Sequence, residues 1–560
     1  MIGRRGAYVL AGLLLAGLAL RFVELGEPDL VGGDEGYYGT YARNLIEGGF
    51  DQLLNLGRDP LSAPDNKPFL FPLLLAGPVA LLGPTELAVR LVPALAGLAC
   101  AWLVGLLVAR RYGGFAAWAA GIATLLLPPL VYSSRVVMGE GLLAAFGLAG
   151  VWAAVRALEE RRNAPALLAG LFWGCGFLVK LWLVGLFIAP VAVALLADAR
   201  RRREAGSWGR MALAGVAFIT VGGSHLALVA WFSPATIPHW FEQYFIFSLF
   251  GRAGGQEFAG YWHQPWSFYL RGTLQSCFMA LPLVAAALTA RDVPAPGRET
   301  SLPQRPLWLA LAAELLLISF MGVKLRQYSF PLLPSLAALA GIGVAVLLRH
   351  RERLRPALAA ALVVLPLAGL ALWQSGASPL FPSPAMAAGV ALFLAASAAS
   401  LAFAGSRWSL GTLALVGAAG VAAVAGSAMT VQRECLGHRT GYREAARLVA
   451  PLLAGRDIRE PAFLSPEVPA LQYYLFRTGR YWSSAYEPRN AAELLTRVAD
   501  PRFVAFLTTT RGDLYGGATP QEVIDWLAAH TAERTAEIVA AAGQPLPIRL
   551  FVRATPEVQP

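Results

Sequence analysis

The sequence predicts an all-α membrane protein of about 13 transmembrane helices, with interfacial helices in the first external loop and a C-terminal external α/β domain. Three observations carry this expectation. Of the 560 residues 56% are hydrophobic and 14% charged, and the mean hydropathy is +0.54; soluble domains carry roughly a quarter charged residues. Apolar stretches long enough for a hydrocarbon core of about 30 Å recur along residues 1–429. Basic residues cluster at every second connection between those stretches. The composition excludes a soluble enzyme and a disordered chain. Cys100, Cys175 and Cys277 fall in spans and leave Cys435 alone outside, so no disulfide framework is expected.

In chain order the expected spans are 7–25, 86–109, 115–132, 138–157, 164–179, 181–197, 209–232, 265–289, 306–321, 329–348, 356–373, 385–404 and 409–429. The stretch 164–197 is too long for one span and has Arg161/Arg162 at one end and Arg200–Arg203 at the other. Like-charged ends belong on one side, so a hairpin turning at Lys180 is predicted. Arg4/Arg5, Arg110/Arg111, Arg156–Arg162, Arg200–Arg210, Arg291–Arg305, Arg349–Arg355 and Arg407 mark the cytoplasmic side, which puts the N-terminus inside and the C-terminus outside an inner (plasma) membrane. Topology thus accounts for the net charge of +11 without nucleic acid. The exit of the first span, Arg21-Phe22-Val23-Glu24-Leu25, lacks a small-residue cleavage pattern and reads as an anchor.

Three external segments remain. The first loop, 26–85, holds an acidic helix-like stretch from Asp34 to Gly48 and a Pro-broken apolar stretch, Phe69–Leu82, suited to the interface. The loop 233–264 is rich in aromatics, among them Trp240, Phe241, Tyr261 and Trp262. The tail changes composition at 430: strand-like runs at 462–464, 503–507 and 548–552 alternate with amphipathic helices at 441–453, 491–499 and 520–540. The expected domains are therefore 1–429, in the membrane, and 430–560, external.

That topology gathers most of the unusual polar residues at the outer boundary. Asp34 and Glu35 stand in Gly32-Gly33-Asp34-Glu35-Gly36-Tyr37-Tyr38, and Lys67 precedes Pro68. Arg135 and Glu140 bracket the turn between the third and fourth spans, and Lys180 tops the hairpin. His263 lies in Trp262-His263-Gln264-Pro265-Trp266, and Lys324, Arg326 and Tyr328 occupy the turn between the ninth and tenth spans. Each has a plain structural reading: a helix cap for Asp34 and Glu35, snorkelling for the lysines, an ion pair for Arg135 and Glu140, an idle interfacial histidine, a membrane belt for the aromatics. The set favours one external cavity lined by both signs of charge, because such residues are costly at these depths. Several cations at the lipid–water boundary suit a phosphate whose tail lies in the bilayer, and a carboxylate beside them can take a proton from a hydroxyl. No Gly-rich phosphate loop follows a strand and no His/Cys cluster has catalytic-metal spacing. Together these features point to a lipid-carried donor.

With those residues placed, the chain resembles the C-type integral-membrane glycosyltransferases, nearest the group of bacterial lipid A aminoarabinose transferases and protein O-mannosyltransferases. The resemblance covers roughly residues 1–350. It rests on an ordered series: Gly33-Asp34-Glu35 with Tyr38, Asn66-Lys67-Pro68, Ser134-Arg135, Glu140-Gly141-Leu142-Leu143, Phe177-Leu178-Val179-Lys180, His263-Gln264-Pro265-Trp266, and Lys324-Leu325-Arg326-Gln327-Tyr328 before Pro331 and Pro334. It implies transfer of a sugar from a polyprenyl phosphate to an acceptor hydroxyl (lipid, glycan or protein) on the outer face. Asp34 is then the catalytic or acceptor-orienting carboxylate, Glu140 the second acidic position and Lys67 the lysine on the donor phosphate. Arg135, Lys180, His263, Lys324, Arg326 and Tyr328 fall around the same cavity. The aminoarabinose branch has an arginine three residues after its first-loop aspartate, where this chain has Tyr37, and Pro68-Phe69 replaces the usual two prolines after the lysine. Both departures argue against an aminoarabinose donor.

The mechanism expected is a single inverting displacement, with Asp34 as base and Lys67, with Arg135 or Arg326, stabilising the departing phosphate. The sequence specifies no cofactor beyond the lipid-linked sugar that serves as donor substrate; a divalent cation held by Asp34, Glu35 or Glu140 stays open beside a proton relay. The expected partners are membrane lipids, the polyprenyl-phosphate sugar and an acceptor that the sequence does not specify. The competing reading is a polytopic transporter or lipid flippase; it is disfavoured because helix interiors lack midplane ionisable residues and no inverted halves appear. A third is a non-catalytic envelope assembly protein whose external domain binds a partner.

Overall fold

A computed structural model describes residues 4–30, 33–48, 68–242, 264–277, 280–289, 294–298, 301–322, 324–349, 408–436, 440–454, 461–465, 468–475, 480–483, 491–509 and 519–553. Two compact units divide the chain: residues 1–23, 66–70 and 93–435, and residues 24–65, 71–92 and 436–560. The sequence-based division put the whole first external loop with the membrane domain; by contacts, most of that loop clusters with the tail.

The first unit is helical. Among the described residues five helices are long and apolar enough to cross a membrane: Glu86–Tyr112, which begins in the second unit, Gly139–Glu160, Asn163–Lys180, Ala205–Phe232 and Arg326–Leu347. Shorter apolar helices occupy Ala11–Phe22, Gly114–Leu126, Gly185–Ala197 and Gly417–Thr430. The expected spans 356–373 and 385–404 lie outside the described residues. Several spans read as continuous are broken by local chemistry. The stretch 115–132 ends its first helix at Leu126, because Leu127 precedes Pro128 and is forced extended (φ −67°, ψ 124°); Pro128–Ser133 then restarts. Within 265–289 the described helices are Phe268–Cys277 and Leu281–Thr289. Midway along Gln304–Ser319 sits Glu314, an ionisable residue within an expected span. This corrects the expectation that helix interiors carry none.

Lipid offers helices no hydrophobic drive to associate, so close backbone approach has to supply the packing. The glycines show how close it is. A Cβ at Gly343, on helix Pro334–Arg349, would stand 1.8 Å from the Leu283 carbonyl oxygen, and one at Gly170 would stand 2.1 Å from that of Ala214. A Cβ at Gly150 would meet the Trp173 indole at 2.3 Å, and that fully buried ring donates its N–H to the Gly147 carbonyl at 3.3 Å.

The second unit holds helix Asp34–Glu47, most of helix Leu70–Leu82 and a five-stranded sheet from the tail. The strands are β1 (Pro461–Ser465), β2 (Arg480–Ser483), β3 (Ala505–Thr509), β4 (Ala532–Glu533) and β5 (Ile548–Val552), in the order β2-β1-β3-β5-β4. β1 runs parallel to β2 and β3, with helices Val468–Leu475 and Ala491–Ala499 between the consecutive strands; β5 is antiparallel to β3 and β4. Leu494, Val498, Phe506, Val523, Leu527 and Phe551 form part of its core. The sequence anticipates β1, β3, β5 and the helices Tyr442–Leu453 and Ala491–Ala499. It misses β2, β4 and Val468–Leu475, and runs one helix through 520–540 where the chain breaks at Thr531 so that Ala532 and Glu533 pair with Val552 and Phe551.

Arg90 fastens the first loop. Its Nε and Nη2 donate to the two oxygens of Glu35 at 3.1 and 2.9 Å, and its remaining N–H groups reach the carbonyls of Leu25 (3.3 Å), Pro28 (2.6 Å) and Asp29 (2.8 Å). Both side chains are 2% exposed. Asp29 accepts from the Gly441 N–H (2.7 Å) and lies 3.4 Å from Arg443, which also pairs with Glu86 at 3.1 Å. Burial, aided by the Glu444 carboxylate, holds the Asp29 carboxyl above the usual range although Arg443 opposes it.

Two outcomes test this architecture. Gly343→Val should cost about 3 kcal/mol or more of stability, because backbone rather than a yielding side chain occupies the space. Gly215→Val, with nothing within 4 Å, should leave the unfolding midpoint in detergent unchanged. Arg90→Met strands the buried Glu35 carboxylate and should cost about 3–5 kcal/mol, of which the double variant Arg90→Met/Glu35→Leu recovers a large part; equal losses would refute the ion-pair role.

Candidate active site

Within the first unit the site follows from a helical hairpin. Gly139–Glu160 has 22 residues and Asn163–Lys180 has 18, joined by Arg161 and Arg162. At about 1.5 Å per residue the returning helix ends beside the start of the outgoing one. Glu140, in the first turn of one helix, thereby meets Lys180, the last residue of the other, and the Lys180 ammonium donates to the Glu140 carboxylate. Glu140 is fully buried, whereas the Lys180 side chain is 19% exposed. The helix ends at Lys180 as expected: Leu181 takes a positive φ of 39°, a short 3₁₀ turn follows through Val184, and Gly185–Ala197 leads away.

The 3₁₀ segment Arg326–Leu332 packs against the outgoing helix and closes the other side. The Lys180 ammonium lies 5.9 Å from the centre of the buried Tyr328 ring. Arg326, itself exposed, sets its guanidinium 5.3 Å from the Tyr132 ring, which packs edge-on against Phe330. Lys324 is buried and donates to the Met321 carbonyl at 2.6 Å; burial lowers its pKa. The Tyr269 hydroxyl donates to the Leu325 carbonyl at 3.0 Å and fixes the turn. The structure thus joins Glu140, Lys180 and Tyr328, and places Lys324 and Arg326 on the adjoining turn.

Arg135 is elsewhere engaged. It is buried and donates to the Leu20 carbonyl at 2.9 Å, so Glu140 finds its counterion in Lys180. Beside it Arg21 donates to the Thr124 carbonyl at 3.2 Å and to that of Leu125. In the second unit Asp34 begins helix Asp34–Glu47, half-buried behind Gly33 at φ 78°. Tyr37 is half-buried, and the buried Tyr38 packs edge-on against Phe71 at 4.7 Å. Glu35 spends both oxygens on Arg90, which replaces its expected place along a cavity with a structural one. Lys67, His263 and most of the aromatic loop lie outside the described residues.

As donors for a divalent cation the named carboxylates fit poorly, since Glu35 is taken by Arg90 and Glu140 accepts from Lys180; no His/Cys/Asp/Glu group of three with metal-binding arrangement occurs among the described residues. Sequence reasoning gave Tyr132, Tyr269 and Arg90 no role. Tyr132 sits among other aromatics without a distinguishing pattern; Tyr269 ends the motif run that begins at His263, and Arg90, a charge inside an apolar run, carried a signal.

Lys180→Met should cost about 3 kcal/mol, because it leaves the fully buried Glu140 without its counterion. Glu140→Gln should cost less, since the partly exposed ammonium can turn toward water. Thermal unfolding of both variants in detergent checks this, and a reversed order would remove Lys180 as the counterion.

The comparisons with known proteins agree with this architecture. The family model for dolichyl-phosphate-mannose-protein mannosyltransferases matches residues 66–223, a stretch that contains Lys67, Arg135, Glu140 and Lys180. The structure of ArnT from Cupriavidus metallidurans bound to undecaprenyl phosphate is similar with a TM-score of 0.64 at 17% identity, covering 98% of this chain and 99% of that one. The archaeal oligosaccharyltransferase AglB from Archaeoglobus fulgidus, in complex with an inhibitory peptide and a dolichol-phosphate, gives a TM-score of 0.51 at 12% identity, covering 90% of this chain and 69% of that one. Comparison with curated proteins gives no match. The group that the sequence motifs resemble is also the one to which the fold and the family model point.

Proposed function

We propose that the protein is a glycosyltransferase that moves a sugar from a polyprenyl-phosphate donor to an acceptor hydroxyl on the outer face of the membrane, with inversion at the anomeric carbon. The observation that carries this reading is the Glu140–Lys180 pair beside Tyr328, set where two helix ends and a cationic turn meet, in a fold similar to that of a protein bound to undecaprenyl phosphate. The Lys180 ammonium, 19% exposed and held in place by Glu140, keeps an N–H to offer a phosphate, whose charge the neighbouring cations then offset. Lys324 and Arg326 add donors on the adjoining turn, and Lys67, in the family-matched stretch, is the proposed direct ligand of the phosphate.

The acceptor hydroxyl oxygen forms a bond to the anomeric carbon as the bond from that carbon to the phosphate oxygen breaks. The electron pair leaves with the polyprenyl phosphate, and the hydroxyl proton passes to Asp34. Lys67 and Arg326 offset the charge gathering on the phosphate. The chain is read with its N-terminus cytoplasmic and the tail sheet external, where it meets the acceptor. Donor sugar and acceptor are open within this class, and the Tyr37 position favours a donor other than aminoarabinose.

Native mass spectrometry of protein purified from its own host membranes tests the donor. A retained polyprenyl phosphate or sugar conjugate, lost in Lys67→Ala, is the expected result, and only bulk phospholipid in both proteins would overturn it. Once the conjugate's mass identifies the sugar, Asp34→Asn should retain the lipid yet lose turnover by roughly a hundredfold or more; an active, folded Asn variant sinks the base assignment.

A further inference from the structure

A second site lies outside the chemistry just described, where two connections of the first unit meet. One is Arg161-Arg162, between Gly139–Glu160 and Asn163–Lys180; the other is the turn 198–204, between Gly185–Ala197 and Ala205–Gly222. Arg161, in a left-handed conformation (φ 56°) that a non-glycine residue adopts at a cost, reaches Glu204 at 2.5 Å and ties the two together. Six arginines, Arg161, Arg162 and Arg200–Arg203, stand here with the carboxylates Asp198 and Glu204, and Glu160 lies close enough to Arg162 to feel its charge. Asp198 is taken by Arg201 at 2.5 Å, and Glu204 by Arg161 with Arg200 at 3.7 Å. Arg162, Arg202 and Arg203 are exposed, and among the described residues none has a carboxylate within ion-pair distance.

What adjoins these cations is apolar. Helix Ala205–Gly222 starts at the turn, and with its continuation to Phe232 it is the least buried of the long apolar helices, at 22%. Val216 and Ile219 are 61% and 69% exposed. Trp208, 41% exposed, donates its indole N–H to the Arg202 carbonyl at 2.9 Å, which fixes an amphipathic ring at the boundary between the cationic turn and the apolar helix.

We propose that Arg162, Arg202 and Arg203, with the outer face of Ala205–Gly222 and Trp208, form a binding site for an anionic phospholipid, the guanidiniums taking the headgroup phosphate and the helix face the acyl chains. Basic residues at a membrane surface attract anionic lipids of any kind; this cluster differs in being fixed by an ion pair between two turns and in adjoining an uncovered apolar face. A diphosphate headgroup such as cardiolipin's, carrying two charges, matches the exposed Arg202 and Arg203, with Arg162 partly offset by Glu160, better than a single phosphodiester.

The test uses the full-length protein in detergent, with cardiolipin, phosphatidylglycerol, phosphatidylethanolamine and inorganic phosphate as probes. Native mass spectrometry and the unfolding midpoint should rank cardiolipin above phosphatidylglycerol, with phosphatidylethanolamine and phosphate inert. R162S/R202S/R203S should weaken cardiolipin retention roughly tenfold or more and remove its stabilising shift. R162K/R202K/R203K keeps the charge and should retain the lipid, and R502S/R534S, in the tail sheet unit, should behave as the wild type. Undiminished retention by the serine variant, equal binding of phosphatidylethanolamine, or an equal shift with inorganic phosphate would each overturn the site. If the serine variant fails to fold, R202S alone carries the comparison, with a several-fold loss expected and no loss refuting the proposal.

Discussion

A charge in an apolar chain has to be met by something, and how each charge is met decides this structure. Glu140 and Lys180 illustrate the constraint. An isolated carboxylate with no exposure would protonate or expel its helix from the core. It stays because a short hairpin returns a lysine to it, and because both groups stand where the helix dipoles favour them: the acid in a first turn, the base at a last residue. Tyr328 and the turn bearing Lys324 and Arg326 are then arranged around a charge pair whose acid is sealed and whose base keeps some access to solvent.

The other buried charges obey the same rule, and backbone carbonyls give them a second route. Arg21 and Arg135 donate to backbone carbonyls at helix ends, including that of Leu125 next to the proline-forced break at Leu127. Such carbonyls lack intrahelical donors and suit a guanidinium. Arg90 combines both routes, with a bidentate carboxylate and three carbonyls of the first loop, so one side chain fixes the approach to helix Asp34–Glu47 and the orientation of its first turn. Buried ion pairs are poor sources of net stability; here their value is in specifying which turn faces which.

Much of this was legible in the sequence, and the gaps have physical causes. Like charges at both ends of 164–197 were enough to place the turn at Lys180, because charge sidedness and span length are both properties of the chain alone. Partner choice was not: Glu140 could pair with Arg135, five residues away, or with Lys180, forty away, and only the hairpin geometry selects the second. Glu35 and Asp34 look equivalent in sequence, yet Arg90 claims one of them from more than fifty residues along the chain. In the tail, β4 and β2 escaped notice because short edge strands are defined by the partner they pair with; Ala532 and Glu533 carry no strand signal without Val552 and Phe551.

The division of roles among the charges follows from exposure. A group that is to meet a ligand's charge must keep some access to it, whereas a group that only organises the fold is best sealed. Glu35 and Arg90, both at 2%, are sealed. Lys180, at 19%, is paired but open, and Arg326 is open with its guanidinium 5.3 Å from the Tyr132 ring. Lys324 stands between these extremes: it is buried, its pKa is lowered by that burial, and it donates to the Met321 carbonyl, which balances no charge. Burial costs such an ammonium its charge, and an anion at the turn would offset that cost, so the burial itself couples Lys324 to the charge beside it.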